Sequence, residues 1–93
     1  MKWLEVIMVR SADSNVKTLA ETLQGLMADL ARGACSDDIR IFHRENLETD
    51  ICIVLFHSGE KTHTGGSPLG LRIVTAFKEV GQVHHTIWNE VKR

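Results

Sequence analysis

"DIRIFHRENLETDICIVLFH", residues 38–57, decides the fold. "DIRIFHR" (38–44) alternates apolar and polar residues, the period-two signature of a strand with one buried face. "DICIVLFH" (50–57) is a near-continuous apolar run rich in β-branched residues, and reads as a second strand. The polar "ENLETD" between them has the length of a hairpin connection. Two antiparallel strands therefore sit at the middle of the chain.

The pattern outside this hairpin is nearly symmetrical. On the N-terminal side Val16, Leu19, Leu23, Met27 and Leu30 recur at helical spacing, joined by Ala20, Leu26 and Ala31. "SADSN" (11–15) supplies candidate N-caps and Gly33 a stop, so the spacing predicts a helix over roughly 15–32. Before it, "WLEVIMV" (3–9) reads as a strand. On the C-terminal side "SGEKTHTGG" (58–66) is polar, flexible and glycine-containing. Ser67 followed by Pro68 is a cap and first-turn pair. It opens a helix, "PLGLRIVTAFKEVG", expected to end at Gly81 with Leu69, Ile73, Ala76, Phe77 and Val80 facing inward. "QVHHTIWNE" (82–90) is the last strand.

The order is β-α-β-β-α-β, the ferredoxin-like pattern of the α+β class. Two right-handed crossovers place both helices on one face of a four-stranded antiparallel sheet, with expected strand order 4-1-3-2. One domain, 1–93, accommodates all of it. The net charge of −1 gives no broad attraction to nucleic acid or anionic membrane. No run approaches the ~20 apolar residues of a membrane span. The opening "MKWLEVIMVR" is too short for a signal-peptide core, so a cytoplasmic location is expected. Cys35 and Cys52 are then expected as free thiols.

Alternation also sorts the strands into faces. Charge at Glu5 turns Trp3, Glu5, Ile7 and Val9 away from the helices, leaving Leu4, Val6 and Met8 toward them. Arg40, Phe42, Cys52, Val54 and Phe56 join the outward set, with His84, Thr86 and Trp88 from the last strand. Val83, His85 and Ile87 are expected to face the helices. Apart from Glu5 and Arg40 the outward face is substantially apolar, and a second copy of the chain, sheet against sheet, is the simplest cover.

The adjacent His84 and His85 point to opposite faces and do not share a metal. His84 and Cys52 stand two strand spacings apart, ~10 Å, and the spacing of His57 and His63 matches no metal motif. His43 lies beside the hairpin turn. No metal and no cofactor are expected. The glycines of "THTGGSPLG" precede a helix N-terminus, but no lysine follows them as in a phosphate-binding loop. An ordinary capped turn is the simpler reading.

The whole-chain pattern, with its apolar outer sheet face and late "HHTIW", resembles the dimeric α/β-barrel superfamily. That group includes the antibiotic-biosynthesis-type monooxygenases and heme-degrading relatives. The resemblance implies two ferredoxin-like sheets paired into a barrel, with a pocket between sheet and helices in each subunit. Some oxygenase members use Asn, His and Trp there, which makes His84, His85 and Trp88 the candidate catalytic residues. Glu5 stands in the first strand, which carries no asparagine. The expectation is a small soluble homodimeric domain with no assignable chemistry, whose barrel pocket is a candidate site for a small apolar or aromatic ligand. The alternatives are a cofactor-independent oxygenase-like enzyme and an interaction or regulatory module.

Overall fold

The computed structural model describes residues 2–11, 16–31, 38–58 and 65–91. Cys35, His63, Gly33 and most of the polar segment 58–66 lie outside them. The elements are β1 (Lys2–Ser11), α1 (Val16–Ala31), β2 (Asp38–Arg44), β3 (Leu47–Ser58), α2 (Pro68–Lys78) and β4 (Gly81–Asn89). The four strands form one antiparallel sheet in the order β2-β3-β1-β4, which is the ferredoxin-like arrangement. No helix among the described residues is long and apolar enough to cross a membrane.

β3 starts three residues earlier than its apolar run. The β2–β3 register breaks between His43 and Arg44, and Arg44 then pairs with Leu47. Glu45 and Asn46 alone make the turn, with Asn46 in the left-handed region that asparagine tolerates (φ 64°). The polar start of β3 stays extended because β1 holds it. Arg10 pairs with Asp50 in the ladder and contacts it as an ion pair (3.4 Å), and the Ser11 hydroxyl donates to the Thr49 carbonyl (3.0 Å).

α2 begins where expected. Ser67 caps it by accepting from the Gly70 N–H, and Pro68 occupies the first turn. The helix stops at Lys78 rather than Gly81, because Val80 already turns back, donating its N–H to the Phe77 carbonyl. Gly81 opens β4 against the backbone of Arg10 and Ser11, where a Cβ would collide.

Ile7, Val9, Ile51, Ile53 and Leu55 from the sheet meet Leu19 of α1 and Ile73, Val74 and Phe77 of α2 in the core. Val80 closes one end. Leu23, Leu26 and Leu69 pack partly against it, whereas Met27, Ala20 and Ala76 are exposed and do not take the inward positions their spacing suggested. Truncating Phe77 to alanine in such a core costs about 3–5 kcal/mol.

β1 has the opposite phase to the one expected. Trp3, Glu5, Ile7 and Val9 are buried beneath the helices, and Leu4, Val6 and Met8 look outward. The strand spans 2–11, so the outward set gains Lys2 and Arg10 at its two ends. Two cations outside outweigh one carboxylate inside, provided the carboxylate finds partners.

Candidate active site: a buried carboxylate between two histidines

Glu5 sits on the central strand, opposite Leu55 of β3 and Ile87 of β4. His57 and His85 lie one diagonal step away on those two neighbours, on the same face. His57 pairs with Trp3 and His85 with Ile7. Such diagonal positions are within reach of long side chains. The Glu5 carboxylate, 0% exposed, bridges them: His57 Nε2 lies 2.8 Å from Oε1 and His85 Nε2 lies 2.7 Å from Oε2.

A third contact comes from the start of α2. The backbone N–H of Ser67 donates to Glu5 Oε1 (3.1 Å), so the helix N-terminus also faces the carboxylate. Close approach there requires glycine. Gly66 adopts φ 107°, and a Cβ at Gly66 or Gly70 would overlap the Glu5 carboxylate. Burial alone pushes the Glu5 carboxyl up. Hydrogen bonds from the Ser67 side chain, His85, the Ser67 N–H and His57 outweigh that and hold it below its ordinary value.

Trp3 stacks on the far side of His57, ring centroids 4.1 Å apart and planes 19° from parallel. Its indole N–H is buried and has no acceptor among the described residues. Beside this pair a hollow of about 620 Å³ opens at the end of the sheet, lined by the apolar Trp3, Leu4, Phe56 and Trp88 and by the polar Lys2, His57, Ser58, Asn89 and Glu90. Lys2, Leu4, Phe56, Ser58 and Trp88 bring the outer face to this hollow, and His57 is both one of its lining residues and a partner of Glu5. In its neutral form, an imidazole that donates Nε2–H to a carboxylate keeps Nδ1 as its basic nitrogen.

The residues singled out from the sequence fall on both faces. Trp3, Glu5 and Ile7 are on the inner face, a correction that follows from the phase of β1. His85 is also inside, bonded to Glu5. Arg40, Phe42, Cys52, Val54, Phe56, His84, Thr86 and Trp88 line the outer face. His84 is exposed beside Met8, which separates it from Cys52 across the sheet. Trp88 donates its indole N–H to Thr86 Oγ1 (2.9 Å) and lies on the opposite face from His85. Burial pushes the Cys52 thiol up. Arg40 stands 6.0 Å from the Phe56 ring. His57 carries the site and was missed. The signal for it was parity: once β1 is phased by its bulkiest residues, Glu5, His57 and His85 share a face.

No protein-family model matches the chain, and no curated protein matches it in sequence. Solved structures do match its shape. Rv0793 from Mycobacterium tuberculosis superposes with a TM-score of 0.71 at 9% identity, over 100% of this chain and 98% of that one. An antibiotic biosynthesis monooxygenase gives 0.68 at 6% identity, covering 97% and 99%. A variant of SnoaB, a cofactor-independent oxygenase from Streptomyces nogalater, gives 0.64 at 10% identity, covering 99% and 95%. The chain shares the ferredoxin-like fold of these structures. At these identities the likeness to the monooxygenase-type proteins is one of backbone, and the Glu5–His57–His85 arrangement is argued from this chain alone. Among the described residues no group of three or more His, Cys, Asp or Glu side chains is arranged to hold a metal.

Proposed function

We propose that the chain is one half of a dimeric α/β barrel that binds a small aromatic molecule in the hollow beside Trp3 and His57. The observation that carries this reading is the hollow itself. Its volume, about 620 Å³, falls in the range of small-molecule sites, and its surface is mostly apolar, from Trp3, Leu4, Phe56 and Trp88, with Lys2, His57, Ser58, Asn89 and Glu90 supplying polar groups. Flat rings stack favourably on tryptophan and phenylalanine. The dimer is supported by the outer face, where Met8, Phe42 and Trp88 are 55%, 51% and 59% exposed. A monomer rarely leaves so contiguous an apolar patch in water.

Titration with 2-naphthol, followed by tryptophan fluorescence, tests the binding. Saturable quenching is expected in the native chain, and a smaller saturable quenching in Trp3→Phe and in Trp88→Phe, each of which removes one of the hollow's two tryptophans. Quenching that never saturates, or that is unchanged in both variants, contradicts the assignment.

A second reading, oxygenase-like turnover without a cofactor, is favoured by one further observation. His57 lines the hollow and meets a buried carboxylate through Nε2, a pairing that suits a general base. Oxygen uptake in the presence of a dihydroxynaphthalene, abolished in His57→Gln but retained in His84→Ala, is its expected signature. Equal uptake by native protein and His57→Gln would set this reading aside.

A further inference from the structure

Glu5 has two oxygens and four described donors, the Ser67 hydroxyl among them, and the way these are shared has a chemical consequence. Oε1 accepts from the His57 ring and from the Ser67 backbone N–H; Oε2 meets the His85 ring. A backbone N–H cannot reverse its role, so Oε1 must always be an acceptor. His57, on the same oxygen, is then obliged to donate from Nε2.

We propose that Glu5 is the positioning residue of a histidine base: it locks His57 as the Nε2–H tautomer, so that Nδ1 is the nitrogen that takes a proton. The inference rests on the hollow being a ligand site, and it narrows the ligand to a weakly acidic aromatic molecule of the phenol type. In the step it serves, the ligand's O–H bond breaks and an N–H bond forms at His57 Nδ1. The ligand keeps the electron pair as an oxyanion, and no oxidant is needed. The imidazolium so formed is balanced by the Glu5 carboxylate beside it, a charge-assisted hydrogen bond in a site sheltered from water. Trp3, stacked on the same ring, holds it in plane. The glycines at 66 and 70 let α2 approach closely enough to supply the Ser67 N–H that makes the lock one-way.

His85 is held less strictly. The backbone N–H of Ser67 sits on Oε1 and not on Oε2, so the tautomer of His85 follows whatever atom stands at the Oε2 place. Glu5→Gln separates the two histidines for this reason. The glutamine carbonyl must occupy the Oε1 place, where two donors converge, and its NH₂ then occupies the Oε2 place and donates to His85.

Long-range ¹⁵N–¹H correlation spectra of histidine-labelled protein, at mildly alkaline pH and without ligand, read the tautomers directly. Native protein is expected to show both rings as Nε2–H. In Glu5→Gln, His57 is expected to keep that form while His85 switches to Nδ1–H. A native His57 that is Nδ1–H, or a mixture of tautomers, overturns the proposal, as does a Glu5→Gln spectrum in which His57 switches and His85 does not. Should that variant fail to fold, the native spectrum and His85→Gln, in which His57 is expected to remain Nε2–H, decide the matter. The reading is made without ligand. A failed naphthol titration therefore counts against the hollow, and a wrong tautomer counts against the lock.

Discussion

The two faces of this sheet invert the usual expectation. The inner face buries a carboxylate at 0% exposure, while the outer face leaves Met8, Phe42 and Trp88 more than half open to water. The inner polar group is stable because partners arrive from three elements: His57 on β3, His85 on β4 and Ser67 at the head of α2. On the outer face little within the chain covers the apolar side chains. A charge is placed by where its partners are, and an apolar side chain by what is available to cover it.

The strongest way to break this contrast is to remove the inner acceptor. Glu5→Leu leaves two histidines and a backbone N–H facing an apolar group, and is expected to cost about 3–5 kcal/mol, read as a lower urea midpoint. Glu5→Gln keeps an acceptor for Ser67 and is expected to lose less. If Glu5→Leu matches the native midpoint, the carboxylate is not what holds these elements together.

Next in size is a charge placed on the other side. Val54→Asp, at the middle of the outer face, is expected to leave the fold intact by circular dichroism. Burying it in a sheet-to-sheet seam costs about 3 kcal/mol or more, roughly 100-fold in association. An unchanged solution mass would mean that this face is not the seam.

Gly70→Ala sharpens the inner half of the comparison. The added methyl meets the Glu5 carboxylate, and overpacking there is expected to cost about 1–3 kcal/mol. Gly25→Ala on α1 has open space around it and is the control.

The smallest effect is a slope with pH. The Glu5 carboxyl is lowered in the folded chain, whereas in the unfolded chain it keeps its ordinary value of 4.5. Below that value the unfolded state takes up the proton first. The stabilisation is therefore complete above 4.5 and is lost as pH falls through the lowered folded value. Urea midpoints measured across this window should fall more steeply for the native chain than for Glu5→Gln.

Much of this fold was legible because its signals are local. The hairpin at 38–57, the Ser67–Pro68 helix start and the spacing of Ile73 and Phe77 each depend on neighbours in the chain. The faces of β2, β3 and β4 followed from alternation. β1 failed because its phase is set by partners far away in sequence. Glu5 alone suggests an outward face, and only the parity shared with His57 and His85 shows why it is tolerated inside. Strand length mattered too, since reading β1 as 3–9 hid Lys2 and Arg10, whose charges mark the outer face. The helix end at Lys78 was lost for a similar reason: Val80 is apolar and in helical phase, but it is buried by a turn rather than by the helix.

The measurement that tests the contrast most directly is the solution mass by light scattering across a dilution series, native chain beside Val54→Asp. A complete inner site and an uncovered outer face predict a native mass near twice 10.4 kDa and a Val54→Asp mass near 10.4 kDa. A native chain that stays at 10.4 kDa at every concentration would contradict the reading of the outer face as the seam of a barrel.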